Sequence, residues 1–211
     1  MSRILITSGP TRQYLDPVRF LTNASSGRMG QALATAALAA GHEVTVISGP
    51  VEIQYPAEAR VIDVISTEEM LSAAQAEFPT HDGLIGVAAP CDYRPRQVSD
   101  QKLHKTGHGL VLELIETPDV VATLGAGKRS DQWAIAFALE TEDHRFRALR
   151  KLEQKCCDLV VLNSPSAMNA LDTQIEMLNK AGRVVLSASG SKTVVAQKIL
   201  EAAMLEVNFE F

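Results

Sequence analysis

Thiols and aromatic rings are scarce in this chain, with three cysteines and one tryptophan, and Phe, Trp and Tyr together at 5% of 211 residues. Cys91 stands alone and Cys156 adjoins Cys157, which gives neither an even disulfide set nor two CxxC clamps, so reduced thiols and no structural zinc are expected. No apolar run approaches the ~20 residues of a membrane-crossing helix, and the N-terminus lacks the features of a signal peptide, so a cytoplasmic location is expected. A dense basic block is also missing. Lys and Arg number 20 against 25 Asp and Glu, a net charge of -5, which argues against a nucleic acid backbone as main partner. The five histidines, His42, His81, His104, His108 and His144, form no HxH or HExxH pair. No GxGxxG follows the first apolar run, the second ends in Ser48-Gly49 rather than an acidic residue, and Gly127-Lys128 is followed by Arg129 where a Walker loop needs Ser or Thr. These departures count against a standard dinucleotide site, and the standard P-loop is missing.

The remaining composition is that of a globular protein, 46% hydrophobic and 21% charged, without repeats or low-complexity linkers. Residues 1–211 are read as a single domain. Short apolar runs recur at Ile4–Ile6, Val44–Ile47, Val61–Ile65, Gly83–Ala89, Ala134–Ala138 and Leu159–Leu162. Between them lie helical patterns: an Ala-rich one opening at Gly27-Arg28-Met29-Gly30 and closing at Gly41, one after the capping-box spacing Ser66-x-x-Glu69, and others at about 117–127 and 142–157. Strands alternating with helices predict a doubly wound, mainly parallel, Rossmann-like α/β sheet. Two stretches break the rhythm. Pro90–Glu116 is polar and cationic around Lys102-Leu103-His104-Lys105 and then alternates through Leu110, Leu112 and Leu114, which suggests a mobile loop at about 93–108 followed by a flap strand. Thr173–Ser189 reads as an added β-hairpin, about 174–188, turning at Asn179–Gly182. A last helix, Lys192–Val207, is expected to be capped by Ser191 and to place Val194, Val195, Ile199, Ala202 and Leu205 largely on one face.

In such a sheet ligands bind beyond the carboxyl ends of the strands, here at Ser8-Gly9-Pro10-Thr11, Ser48-Gly49, Ala88–Asp92, Phe137-Ala138 and Asn163. Small residues there let backbone N–H groups approach phosphate oxygens, and the helix opening near Ser26 adds its dipole. Asp92 suits Mg2+ bound through oxygen, and equally suits a turn before a proline-bearing loop. Lys102 and Lys105 are either polyphosphate cations or solvated loop residues. Lys151 and Lys155 share a helix face, where an anion would relieve their repulsion. Cys91, Cys156 and Cys157 read most simply as packing residues.

Ser8-Gly9-Pro10-Thr11-Arg12, Leu15–Asn23 and Ser25-Ser26-Gly27-Arg28-Met29-Gly30 closely resemble the opening signature of the phosphopantothenoylcysteine synthetases, ligases of coenzyme A biosynthesis. Ala88–Pro95, Lys102–Lys105, Thr117-Pro118-Asp119-Val120 and Phe137–Thr141 resemble later segments of that family, as do the placing of Lys151, Lys155 and Asn163. The resemblance implies ligation of 4'-phosphopantothenate to L-cysteine through an acyl-nucleotide formed from CTP, as in most bacterial members, or from ATP, as in the animal type. It implies that Asp92 helps hold Mg2+ and the triphosphate, Asp119 the ribose, and Phe137, Lys151 and Lys155 the nucleotide. Gly9, Ser25, Ser26 and Gly27 fall on its phosphate loops, and backbone groups at Ala88 and Ala89 beside the base. Lys102 would serve the amide-forming half and Asn23 would orient the acyl-nucleotide. The hairpin at 174–188 would mediate a homodimer. Pro90-Cys91 and His104 depart from the family pattern. The start of the chain at this signature suggests a freestanding synthetase working with a separate phosphopantothenoylcysteine decarboxylase, or a domain excised from a fused one. The rival readings are a nicotinamide-dependent reductase, although no Tyr-x-x-x-Lys follows Tyr14, Tyr55 or Tyr93, and a non-catalytic nucleotide-binding regulator.

Overall fold

A computed structural model describes residues 1–139, 144–163 and 172–209. In chain order the elements are β1 (Arg3–Ser8), β2 (Arg12–Tyr14), β3 (Phe20–Thr22), α1 (Arg28–Ala39), β4 (Glu43–Ser48), β5 (Arg60–Asp63), α2 (Thr67–Glu77), β6 (Gly83–Gly86), β7 (Tyr93–Pro95) and β8 (Leu114–Glu116). There follow α3 (Val120–Ala126), β9 (Trp133–Leu139), α4 (His144–Gln154), β10 (Leu159–Asn163), β11 (Asp172–Asn179), β12 (Val184–Ser191) and α5 (Lys192–Phe209). The main sheet runs β12-β11-β10-β9-β6-β1-β4-β5. From β5 to β10 every pairing is parallel, whereas β11 and β12 add an antiparallel hairpin in the plane of the sheet. From β1 the chain first builds outward through β4 and β5, then crosses to β6 on the other side. That reversal opens a crevice above the ends of β1 and β6.

Alternation along each strand divides the core between two faces. Ile4, Ile6, Val44, Val46, Ile135 and Val161 pack with Leu33, Ala34 and Ala37 of α1 and Val195, Ala196, Ile199 and Ala203 of α5. Leu5, Leu84, Ala134, Ala136 and Val160 meet Met70 of α2, Leu124 of α3 and Leu152 of α4. Each fully buried Leu or Ile contributes about 1.5–3 kcal/mol relative to exposure. Helix α1 lies close on β1 because Gly30 has no side chain: a Cβ there would sit 2.0 Å from Ser8 Oγ. No described helix is long and apolar enough to cross a membrane.

The sequence-based boundaries need several corrections. The segment after β1 is not a plain loop, since β2 and β3 form a small antiparallel hairpin. The third parallel strand ends at Asp63, because the chain must turn to start α2: Ser66 Oγ accepts from the Glu69 N–H at 3.1 Å and Glu69 accepts from the Ile65 N–H at 2.8 Å. The fourth ends at Gly86, after which Ala89 forms a bridge with Pro10. Helix α3 begins only at Val120, because Asp119 caps it through the Ala122 N–H at 2.9 Å. Leu110 and Leu112 are exposed and lie outside the strands, leaving Leu114 in β8 to pair with β7. On α5 the buried stripe is Val195, Ala196, Ile199, Leu200, Ala203 and Val207, with Val194 and Leu205 in solvent, so the expected face is rotated. Ser191 does act as the expected cap, accepting from the Val194 N–H at 3.4 Å. Residues 142–143 of the fourth helical pattern, and Glu140 and Thr141, lie outside the described residues.

Candidate active site

The crevice above β1 and β6 contains a cavity of about 230 Å³ lined by Ala88, Pro90, Asp92, Glu116, Asp119, Phe137 and Lys155 among others. Five of the expected residues, Ala88, Asp92, Asp119, Phe137 and Lys155, thus meet at one place. Beneath them, buried hydroxyls hold the Pro90–Asp92 backbone. Thr11 Oγ1 accepts from the Cys91 N–H at 2.8 Å and lies 2.9 Å from Thr67 Oγ1. The Cys91 carbonyl accepts from the hydroxyls of Thr67, at 3.2 Å, and Thr117. The Thr117 N–H in turn donates to the Asp92 carbonyl at 2.9 Å. Leaving any one of these buried groups unpaired would cost about 1–3 kcal/mol, so the backbone beside Asp92 is fixed in advance of any ligand. Burial raises the Cys91 thiol pKa, and the side chain is enclosed beneath this network, so Cys91 is a packing residue rather than a nucleophile.

Asp119 and Lys155 form an ion pair at 3.0 Å at the cavity wall, so the Asp119 carboxylate both caps α3 and holds the lysine in place. Lys155 follows the end of α4, where Cys156 takes a left-handed φ of 51° and Cys157 turns inward. Of that pair only Cys157 packs in the core, its thiol pushed up to about 12 by burial, whereas Cys156 is exposed, contrary to the packing expectation. Lys151, one turn earlier on α4, is not among the residues lining this cavity.

A second cavity, of about 480 Å³, is lined by Arg12, Phe20, Asn23, Ser25, Ser26 and Arg28 together with Pro50–Ile53. The Arg12 guanidinium lies 4.5 Å from the centre of the Phe20 ring, which orients its charge at the wall. Asn23 stitches the two cavities together, its amide donating to the carbonyls of Pro90, at 2.8 Å, and Ala89, at 3.3 Å. Ser25 and Ser26 therefore belong with Asn23 rather than with Asp92 and Phe137. Gly9 and Gly27 line neither cavity. Both have positive φ, and a Cβ on either would fall within 2.9 Å of Val51 Cγ1, so they shape the turns beneath the site. The Ala89 N–H is committed to the Gly9 carbonyl at 2.9 Å, which leaves Ala88 as the member of that pair lining the first cavity. Lys102 is exposed on the loop between β7 and β8 and lines neither cavity.

Several residues here have no role in the sequence reading: Thr117, Arg12 and Arg28, although they fall within the matching segments, and Thr67 and Tyr55, which fall outside them; the Tyr55 hydroxyl lies 2.9 Å from Ser8 Oγ and 3.0 Å from Ser48 Oγ and so ties the ends of β1 and β4 together. Asn163 ends β10, and its buried amide oxygen has no hydrogen-bond partner among the described residues. No cluster of three or more His, Cys, Asp or Glu side chains able to hold a metal occurs among the described residues. A dedicated protein cage for a cation is absent there. Mg2+ that arrives on a polyphosphate needs only one or two carboxylates from the protein, and the exposed Asp92 at the cavity fits that chemistry.

A family model described as the DNA/pantothenate metabolism flavoprotein C-terminal domain matches residues 1–205. The chain belongs to this family. Among relatives of this C-terminal domain, the coenzyme A biosynthesis bifunctional protein CoaBC of Vibrio vulnificus is 41% identical over 204 residues, covering 94% of this chain and 51% of that protein. The chain spans about half the length of the curated relatives it matches. The crystal structure of the C-terminal domain of a CoaBC protein superposes with a TM-score of 0.83 at 38% identity, covering 97% of this chain and 95% of that one. A Cab2 mutant in complex with phosphopantothenate-cysteine gives a TM-score of 0.78 at 15% identity, covering 99% of this chain and 88% of that one, a likeness of fold.

Proposed function

We propose that this DNA/pantothenate metabolism flavoprotein C-terminal domain is a phosphopantothenate–cysteine ligase that uses CTP and works through an acyl-cytidylate. The observation carrying this reading is the stitched pair of cavities: Ala88, Asp92, Asp119, Phe137 and Lys155 on one side of the Asn23 seam, Arg12, Ser25, Ser26 and Arg28 on the other. A cavity of about 230 Å³ falls below the roughly 300 Å³ at which small-molecule pockets begin, so a nucleotide must extend beyond it. The basic second cavity fits the other anionic reactant.

In the first half a carboxylate oxygen of 4'-phosphopantothenate attacks the α-phosphorus of CTP, the bond to the β-phosphate breaks and pyrophosphate leaves. In the second half the amine of L-cysteine attacks the acyl carbon, CMP departs with the carboxyl oxygen, and the nitrogen loses its proton. Two anions approach each other in the first half, so cations must lie between and around them. Lys155 supplies one at the nucleotide and Arg12 and Arg28 supply others at the pantothenate phosphate, while Asn23 holds the junction. Lys151, from the preceding turn of α4, supports the nucleotide end. Mg2+ held by the triphosphate and Asp92 would neutralise phosphate charge. The hairpin β11–β12 is assigned to a homodimer contact, and a separate or fused decarboxylase would consume the product.

Incubation with CTP, phosphopantothenate and Mg2+, with pyrophosphate measured before and after adding cysteine, tests the assignment. Pyrophosphate before cysteine and amide after it are expected, and absence of both would defeat the reading. Asp92→Asn is expected to lower turnover roughly a hundredfold, as loss of one charge-stabilising group does, with unchanged circular dichroism. Full activity of this variant across a Mg2+ titration would reduce Asp92 to a turn residue.

The choice of CTP over ATP is supported by the bacterial character of the opening and Lys102 segments. A site that pairs with one base edge leaves buried groups unpaired when the other base enters, so kcat/KM should favour CTP by about two orders of magnitude or more. Pro90 has no N–H to offer a base, so Ala88 and the carbonyls around it are the proposed readers. Equal kcat/KM values would remove the preference and leave the ligase assignment standing.

A further inference from the structure

The loop from Arg96 to Glu113 is exposed along its length except at Ser99 and Leu103, which are half-buried. Those two residues are where its backbone meets the turn between β2 and β3. The Ser99 N–H donates to the Leu15 carbonyl at 2.9 Å, the Leu103 N–H donates to Asp16 Oδ2 at 3.1 Å, and the Leu103 carbonyl accepts from Arg19 at 2.6 Å.

Asp16 is the centre of this contact and is wholly buried. Its Oδ1 accepts the N–H groups of Val18, at 2.9 Å, and Arg19, at 2.8 Å, while its Oδ2 accepts the Arg19 guanidinium through Nε at 2.9 Å and through a terminal nitrogen. The Arg19 hydrogen bond, reinforced by backbone donors, holds the Asp16 carboxyl well below the usual carboxylate range, so it stays ionised. A buried carboxylate satisfied on this scale has strict geometry, and one of its donors comes from a loop 87 residues away in sequence. The same hairpin runs on through β3 to Asn23, the residue joining the two cavities.

We propose that Asp16 is a positioning residue for Lys102, and that the β2–β3 turn is a latch that sets the loop against the hairpin carrying Asn23. Pinning Leu103 fixes the backbone next to Lys102 while its exposed side chain remains free to swing towards the reacting groups. The latch ties a cation on a long surface loop to the hairpin that leads on to Asn23, which would raise its effective concentration near the junction. The catalytic purpose of the latch rests on the reading of Lys102 as the cation of the amide-forming half.

Two variants test it. Asp16→Asn removes the charge, and Leu103→Pro removes the loop's donor, at the cost of a fixed φ there and a restricted Lys102 backbone, and leaves the Asp16–Arg19 pair intact, so a folding defect in the first does not decide the matter. In the ligand-free protein, tryptic cleavage after Lys105 should accelerate roughly tenfold or more in both. In single turnover the amide-forming step should slow about tenfold to a hundredfold, pyrophosphate release should persist, and neither change should add to the loss caused by Lys102→Ala. Unchanged cleavage in both variants would overturn the latch. Faster cleavage with losses that multiply with that of Lys102→Ala, or with Lys102→Ala itself silent, would overturn the positioning role and, in the second case, the reading of Lys102 as well.

Discussion

Lys102→Ala should leave the first half-reaction largely running and stall the second, so that acyl-cytidylate builds up on the protein while amide formation slows by roughly 100- to 1000-fold, or about 2.7–4 kcal/mol of barrier. The asymmetry follows from where charge changes. In the proposed mechanism departure of CMP would put negative charge on a phosphate oxygen at the junction of the cavities, where an ammonium on a pinned loop would meet it. The first half already has Lys155, fixed by its 3.0 Å pair with Asp119, and the arginines of the second cavity. Rapid-quench measurement of pyrophosphate and amide in one time course checks this. Equal loss of the two would remove the amide-forming role from Lys102.

Gly125→Ala should destabilise the fold and weaken nucleotide binding together. In an exposed helix this substitution would be favourable by about 1 kcal/mol on propensity alone. Here the added Cβ would sit 2.0 Å from the Lys155 carbonyl oxygen, a backbone atom without a flexible end to swing aside. The end of α4 has little room to retreat. The Cys156 N–H is bonded to the Glu153 carbonyl and the Cys157 N–H to the Leu152 carbonyl, with Cys156 already in a left-handed conformation. Overpacking of this kind costs typically 1–3 kcal/mol, so it outweighs the propensity gain. Lys155 would be carried away from Asp119, and nucleotide affinity should fall about tenfold as one charge contact loosens. Urea denaturation and nucleotide titration of the same variant provide the check. A more stable variant would mean that α3 and the end of α4 are not in this tight register.

The parallel strands were legible because each is a short apolar run ended by small or polar residues, and burial on both faces leaves that imprint in the sequence. The β2–β3 hairpin left none. Its strands have three residues each, too few for an alternation to show, and what holds it, the Asp16 turn and the pairing of Tyr14 with Phe20, is made across the turn rather than along one strand. The stripe on α5 is rotated for a related reason: Val194 and Leu205 are as apolar as their buried neighbours, and the positions of α1 and of β11 and β12 decide which side turns inward. At the site, motifs identified Asp92, Asp119, Phe137 and Lys155. Separation of Ser25 and Ser26 into a second cavity required the Asn23 seam, and the contact of Asp16 with the Lys102 loop depends on a donor far along the chain. Local patterns record which residues are buried or turn-forming, whereas partners brought together by topology leave no trace in spacing.

Helix α5 is the last described element, yet it covers the same face of the sheet as α1, the first helix, and packs against it. During ribosomal synthesis the inner stripe of α1 and the apolar side of β11 and β12, against which α5 packs, must therefore wait, uncovered, until residues 192–209 have emerged. Non-local closure of this kind is slow and leaves sticky surface open to association in the meantime. Nascent chains halted before Lys192 should bind holdase chaperones and be digested by protease, while those halted beyond Phe209 with room to clear the exit tunnel should escape both, so that maturation is governed by the arrival of one late helix.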